Sequence, residues 1–301
     1  MTLRALYDLP APAKLNLFLH VVGRRADGYH LLQSVFVLIG WADTLHVERR
    51  DDGQLHRHDL GAALPGDDLS LRAARLLQQE SGCSLGADLS IDKQLPWGAG
   101  LGGGSSDAAT TLLALNRLWG LNWPRSRLLA LGARLGADVP FFIGGRNAFV
   151  EGVGERLIPI VFPTQHFAVV KPAASLATAA VFASPLVRRD TEAAILAGSF
   201  DDACDPEAGL RGLTDRVVGG FGRNDLQAAA EAQCDEVVKA VTWVHTRFGN
   251  SRMTGSGSAV FARVGTGDQP VATFPAGLLP PGWVGRLCRS LDRHPLWGWA
   301  C

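Results

Sequence analysis

Leu95-Pro96-Trp97-Gly98-Ala99-Gly100-Leu101-Gly102-Gly103-Gly104-Ser105-Ser106-Asp107 runs straight into a helix-forming stretch, Ala108-Ala109-Thr110-Thr111-Leu112-Leu113-Ala114-Leu115. Glycine fills five of the seven positions from 98 to 104. Without a Cβ, such backbone can pass close to a bulky anion and turn its N–H groups towards it. The helix that follows adds first-turn N–H groups without intrahelical partners and the positive end of its dipole. A merely flexible turn needs fewer glycines, so the segment reads as a phosphate cradle.

Two common phosphate loops are excluded. A Walker A loop requires Lys after its last glycine, and none follows Gly104. Gly98-Ala99-Gly100-Leu101-Gly102-Gly103 does satisfy the dinucleotide pattern G-x-G-x-x-G. That pattern also wants an acidic residue about 20 positions on to hold a ribose. There is no Asp or Glu between Ala108 and Ala137, and no clean apolar strand leads into the loop.

Outward from the loop, strands and helices mix without strict alternation, which favours an α+β fold. The pattern predicts strands over 11–22, 31–39 and 44–49, a hairpin and loop over 50–68, and a helix over 69–79 capped by Asp67 or Asp68. A strand over 87–93 precedes the glycine loop, and helices follow over 105–119 and 126–135. Strands are expected at 147–150 and 155–160, 167–171 and 259–264, with helices near 175–184 and 224–247. Residues 190–222 are weakly patterned, and 270–281 read as an irregular connection. A boundary at 161–166 suggests two domains, 1–162 and 163–301.

Lys plus Arg and Asp plus Glu both number 29, so the formal net charge is zero and nothing points to nucleic acid or an anionic membrane. The hydrophobic fraction of 47% suffices for a packed core. No apolar run reaches the ~18 residues that span a bilayer. The five cysteines, Cys83, Cys204, Cys234, Cys288 and Cys301, are scattered and never form CxxC; they read as reduced thiols of a cytoplasmic protein, and a zinc site is not expected.

Two charged residues interrupt apolar segments. Lys14 is the only charge between residues 11 and 22, and reads either as an edge-strand lysine or as a functional cation. Asp138 follows a helical run in Leu135-Gly136-Ala137-Asp138-Val139-Pro140, and reads either as a cap or turn carboxylate or as a reactive one. If the two meet, the ammonium favours the ionised carboxylate and eases deprotonation of a hydroxyl.

Taken whole, P-x-G-A-G-L-G-G-G-S-S-D resembles the phosphate loop of the GHMP kinases, which include galactokinase, homoserine kinase and mevalonate kinase. Further segments follow the same order: Pro12-Ala13-Lys14-Leu15-Asn16-Leu17, Arg25-Ala26-Asp27-Gly28-Tyr29-His30, Gly136-Ala137-Asp138-Val139-Pro140, Glu151-Gly152-Val153-Gly154-Glu155 and Ser251-Arg252-Met253-Thr254-Gly255-Ser256-Gly257. The series resembles the branch that phosphorylates a methylerythritol carrying a cytidyl diphosphate, in the non-mevalonate route to isoprenoid precursors. It covers residues 12 to about 261, and the Ala26-Asp27-Gly28-Tyr29-His30 turn is what narrows it to that branch.

The resemblance implies a two-domain GHMP kinase fold, with an N-terminal ATP-binding domain and a C-terminal ferredoxin-like α/β sandwich. It implies ATP and Mg²⁺ as cofactors, metal ligands unspecified, in a monomer or homodimer. Lys14 and Asp138 would be catalytic. Lys93, Pro96, Gly98, Ala99, Gly100, Leu101, Gly102, Gly103, Gly104, Ser105 and Ser106 would bind ATP, with Lys93 flanking adenine unless it is a solvated lysine. Asn16, Tyr29, His30, Phe182, Gly255 and Ser256 would bind the acceptor, with Asp138 orienting its hydroxyl. Phe182 also reads as core packing, Tyr29-His30 as a turn and Gly255-Ser256 as a hairpin. Asp68 departs from an Asn that can stand near adenine, and Trp297 and Trp299 carry no assignable role. The competing readings are a kinase of the homoserine or mevalonate class, or a nucleotide-binding module without catalysis.

Overall fold

The computed structural model describes residues 3–61, 63–194, 206–267 and 274–300. The first sheet is built on two long antiparallel strands, β1 (Ala5–Arg24) and β2 (His30–Arg50). The two strands expected at 31–39 and 44–49 are therefore one. The break read at Gly40–Asp43 is a register shift opposite Pro12–Ala13, not a turn. Both faces of β2 are covered: Phe36, Leu38, Leu45 and Val47 enter one core, and Val35, Val37, Ile39 and Trp41 another. This explains its nearly unbroken apolar sequence.

β3 (Leu55–Asp59) replaces the expected hairpin, because it pairs in parallel with β4 (Gly86–Asp92) across the intervening helix α1 (Leu69–Ser81). Asp68 caps that helix, its carboxylate accepting the Leu71 N–H at 3.1 Å and pairing with Arg57 at 3.0 Å. Arg57 therefore neutralises the departure noted at this position. The glycine loop then opens α2 (Gly103–Leu118), which is buried almost all round between α1 and β1. Next come α3 (Arg125–Ala133) and α4 (Val139–Gly144), a short helix the sequence did not suggest. The sheet closes with the hairpin β5 (Ala148–Glu151) and β6 (Arg156–Pro159), in order β3-β4-β2-β5-β6, with β1 along the other edge of β2.

A second, antiparallel sheet of order β10-β7-β9-β8 is built from β7 (Gln165–Lys171), β8 (Arg252–Met253), β9 (Val260–Thr266) and β10 (Val284–Arg289). Between β7 and β8 lie α5 (Thr178–Ala183), α6 (Pro206–Val218), α7 (Gln227–Gln233) and α8 (Asp235–Phe248). The helix expected over 224–247 is thus interrupted, at the extended residue Cys234. One core lies between the first sheet and α1–α4, one between the second sheet and its helices, and the third joins the two sheets through Leu15, Leu17, Phe167 and Phe261.

The chain then returns to the first sheet. Leu291 N–H donates to Leu38 O at 2.8 Å, His294 N–H to Gly145 O at 2.8 Å, and Leu296 and Ala300 are buried in the first core. Trp297 lies beside the guanidinium groups of Arg125, Arg146 and Arg293, and Trp299 beside Arg117. These tryptophans pack the fold. Cys83, Cys234 and Cys288 are free thiols, and Cys204 and Cys301 lie outside the described residues. Among the described residues no helix is long and apolar enough to cross a membrane.

Candidate active site

A cleft of about 1010 Å³ opens where the two sheets meet. The glycine loop forms its floor in an alternating pattern. Gly98, Gly100 and Gly102 face the cleft with φ of 58°, 72° and 74°, while Ala99 and Leu101 anchor the loop in the core beneath. A Cβ on Gly98 would fall 2.8 Å from Ser175, and one on Gly102 would fall 2.9 Å from Phe142. Only glycine leaves this backbone open to a ligand. The loop is tied to the second sheet, with Ser258 N–H donating to Gly98 O and Ala259 N–H to Ala99 O, both at 3.1 Å.

Gly102 is the left-handed cap of α2 and supplies no side chain to satisfy the first-turn N–H groups. Those donors and the helix dipole face an anion placed over the loop. Ser105 also lines the cleft. Ser106 does not: it is buried and its hydroxyl donates to Pro12 O at 2.7 Å. The two expected phosphate-side hydroxyls thus reduce to Ser105, because neighbouring helix residues point about 100° apart.

Lys14 and Asp138 meet. The Lys14 ammonium, on β1, lies 3.6 Å from Asp138 Oδ2, donates to Asn16 Oδ1 at 2.5 Å and stands 4.6 Å above the Phe36 ring. Lys14 is buried, whereas the Asp138 side chain is one-third exposed to the cleft. Asp138 occupies the cap position of α4 but makes no cap hydrogen bond, so its carboxylate is available to a ligand. Asn16 is fixed further by Ser34, whose Oγ accepts from Nδ2 at 3.0 Å, and by Thr254 Oγ1, which accepts the Asn16 N–H at 2.9 Å.

The far end of the cleft carries aromatic groups. Tyr29 is exposed, and the His30 and Phe182 rings lie 5.1 Å apart, tilted by 34°. Arg189 Nε donates to His30 Nε2 at 3.1 Å. Arginine can only donate, so His30 keeps Nε2 bare and carries its proton on Nδ1. Burial and the charges of Arg189 and Arg24 hold His30 below its ordinary pKa, consistent with a neutral ring. Arg24 and Arg189 both line the cleft. Sequence reasoning missed Arg189: its contact to His30 spans 159 residues and its surroundings carry no pattern. Gly255 and Ser256 complete this side, with the Ser256 and Thr178 hydroxyls 2.8 Å apart.

Lys93 lies behind the loop, in contact with Asp43 and 2.7 Å from Asp107 Oδ2. It is buried rather than solvated and is not among the cleft-lining residues; Pro96, Ala99, Leu101, Gly103 and Gly104 do not line the cleft either. Asp43 also accepts the N–H groups of Gln94 and Leu95, at 2.6 and 2.7 Å, and so holds the strand-to-loop turn. Burial pushes the Asp107 carboxyl well up from its ordinary range, against the pull of Lys93. Among the described residues no three His, Cys, Asp or Glu side chains cluster to hold a metal.

A phosphate cradle, a lysine-paired carboxylate and an aromatic far wall in one cleft define a small-molecule kinase of the GHMP class. The GHMP kinases N terminal domain matches residues 68–146. A Methylibium petroleiphilum protein called 4-diphosphocytidyl-2-C-methyl-D-erythritol kinase is 64% identical over 301 residues, all of both chains. The crystal structure of a 4-(cytidine 5'-diphospho)-2C-methyl-D-erythritol kinase superposes with a TM-score of 0.69 at 35% identity, covering 84% of this chain and 88% of that one. The chain belongs to the 4-diphosphocytidyl-2-C-methyl-D-erythritol kinase family. A Methanococcus jannaschii mevalonate kinase, 14% identical with a TM-score of 0.66 over 97% of this chain and 99% of its own, shares the fold.

Proposed function

We propose that the chain transfers the γ-phosphoryl group of ATP to the 2-hydroxyl of 4-diphosphocytidyl-2-C-methyl-D-erythritol, giving the 2-phosphate and ADP, in the cytoplasmic non-mevalonate route to isoprenoid precursors. The observation that carries this reading is the Lys14–Asp138 pair, 3.6 Å apart in a cleft that also holds the glycine cradle and the Tyr29, His30 and Phe182 rings. On this reading residues 1–162 carry the nucleotide cradle together with Asn16, Tyr29, His30 and Asp138, and 163–301 add Phe182, Gly255 and Ser256 on the acceptor side before residues 291–300 pack back on the first sheet.

The glycine backbone and the free N–H groups opening α2 suit the nucleotide phosphates. Lys93 and Pro96 fall to the adenine end, beside the exposed Trp97. The Ser105 hydroxyl, which lines the cleft beside the cradle, would be a ligand for Mg²⁺. When bound, ATP supplies the phosphoryl group and Mg²⁺ neutralises phosphate charge. The protein orients and deprotonates. Asp138 accepts the proton of the acceptor hydroxyl as its oxygen bonds to the γ-phosphorus and the bond to the ADP oxygen breaks. Lys14, 3.6 Å from Asp138 Oδ2, holds the carboxylate in place and stabilises charge on the equatorial oxygens. Tyr29 and Phe182 offer ring faces to cytosine, and His30 offers the Nδ1 proton.

The test is ADP release by the purified protein with Mg²⁺-ATP. The acceptors are the cytidyl substrate, the same alcohol without its cytidyl group, homoserine and mevalonate. Turnover with the cytidyl substrate alone is expected. Turnover with homoserine or mevalonate instead would move the assignment within the GHMP class. Nucleotide binding without any turnover would favour a binding module.

A further inference from the structure

Arg189 bridges the two walls at the aromatic end of the cleft. Its Nε donates to His30 Nε2 at 3.1 Å, where β2 begins on the first sheet. Its Nη2 donates to the carbonyls of Phe182 and Ser184, at 2.9 and 2.8 Å, where α5 ends on the core of the second sheet. Its Nη1 donates to Val187 O at 3.0 Å. The last carbonyls of a helix lack intrahelical partners, and a basic side chain satisfies them well. The segment that carries this fork is itself anchored on both sides. Val187 is buried in the core of the second sheet. Thr191 N–H donates to Val21 O at 3.2 Å, and its hydroxyl donates to the buried Asp225 at 2.6 Å. A planar guanidinium held between such anchors keeps little freedom.

The consequence falls on His30, which is half-buried and lines the cleft. Its Nε2 accepts from Arg189, so the neutral ring carries its proton on Nδ1. Among the described residues no protein acceptor takes that proton. The same guanidinium fixes the backbone that carries the Phe182 ring, 5.1 Å from His30. Burial, then the charges of Arg189 and Arg24, hold His30 below its ordinary pKa. Arg24 contributes charge alone, because its Nε donates to Gly28 O at 3.0 Å. The Asp27 carboxylate of the adjoining turn is occupied by Arg25 and the Tyr29 N–H.

Resting on the cytidyl acceptor argued above, we propose that Arg189 is a positioning residue for the base end of that substrate. It fixes His30 as an Nδ1–H donor to an acceptor atom of the base and sets the Phe182 ring beside it, so the base site is built before the substrate arrives. With Arg189 in place His30 presents Nδ1–H whether neutral or protonated. Without it the neutral ring is free to move its proton to Nε2, which turns Nδ1 into an acceptor; protonation then restores the donor. Loss of the Arg189 charge also lets the His30 pKa rise towards its ordinary value of about 6.5. Acid should therefore rescue acceptor binding in a variant that lacks Arg189, and should do little for the wild type.

The test has two arms. Long-range ¹H–¹⁵N spectra of the full chain, labelled with ¹⁵N-histidine and assigned with H30Q, report the tautomer of His30 without any substrate. The Nδ1–H form is expected in the wild type and a mixture of forms in R189M. Steady-state kinetics with the cytidyl substrate give the second arm. R189M should raise the acceptor KM about tenfold or more and leave the nucleotide KM unchanged, the loss falling on acceptor KM rather than on kcat. Lowering the pH from about 8 to about 6 should recover most of that loss. An unchanged acceptor KM, or a loss equal at both pH values, overturns the role of Arg189 while the assigned reaction stands. Absence of turnover by the wild type with this acceptor overturns the assigned reaction and this inference with it. A wild-type His30 in the Nε2–H form overturns the inference even if R189M fails to fold.

Discussion

Gly100 and Gly255, from opposite sides of the cleft, are packed backbone against backbone. A Cβ on Gly255 would lie 3.0 Å from Gly100 O and 3.2 Å from Gly100 Cα. A Cβ on Gly100 would lie 2.3 Å from Thr254 O. Both residues have positive φ, 72° and 57°. The contact sets the phosphate loop against the second sheet, so the geometry of the cleft depends on two absent side chains.

Gly100→Ala should therefore lose about 3 kcal/mol of stability, from left-handed strain plus a clash that only backbone movement relieves. Urea unfolding measures the first effect. Nucleotide titration should show weaker binding as the loop shifts, and a variant with normal affinity would contradict this account of the junction.

Asp138→Asn should lower kcat about 100- to 10,000-fold with little change in nucleotide affinity, because on the proposed reading the carboxylate serves the acceptor hydroxyl rather than the phosphate cradle. Lys14→Met should give a comparable loss, since it removes the cation beside Asp138 and frees Asn16. Steady-state kinetics on both variants, with a nucleotide-binding control, test the pair. Wild-type kcat in either would sink its proposed role.

The buried Asp43–Lys93–Asp107 cluster should be brittle. Lys93→Met leaves two carboxylates facing one another out of water and should cost about 3–5 kcal/mol. Combining Lys93→Met with Asp43→Asn and Asp107→Asn removes charge altogether and should recover much of that loss in denaturant midpoint.

The cleft was legible in the sequence where the chemistry is local. Glycine density marked the loop, and single charges in apolar runs marked Lys14 and Asp138. Asp43 was illegible: beside Gly40 it looks like a turn residue, yet it is fully buried and its partner Lys93 lies 50 positions away. The parallel β3–β4 pair was hidden for the same reason, because its partners lie on either side of a helix. Ser106 misled because composition does not reveal helix phase; one position separates a cleft-facing hydroxyl from one that ties α2 to β1.

Acid should loosen the returning C-terminal segment first. His294 is buried, its Nδ1 accepts the Leu296 N–H at 3.0 Å, and its Nε2 has no partner among the described residues. Burial, with Arg125 nearby, lowers its pKa to about 4. The folded state thus binds fewer protons than the unfolded chain between about pH 6.5 and 4, and stability falls as pH falls through that window. The contribution is about 2 kcal/mol between pH 7 and pH 5. His294→Asn, which keeps an acceptor near Nδ1, should flatten the pH dependence of urea unfolding by that amount.

The route of that segment also sets an order of events in synthesis. Arg125 of α3 holds the carbonyls of Trp297 and Ala300, and Leu296 and Ala300 fill space in a core whose other fully buried side chains come from residues before 151. A ribosome has therefore passed residue 300 before the first-made half can finish its interior. Until then the α3–α4 corner lacks Leu296 and Ala300, and the nascent protein depends on residues made about 150 positions later to seal the layer that carries the phosphate loop.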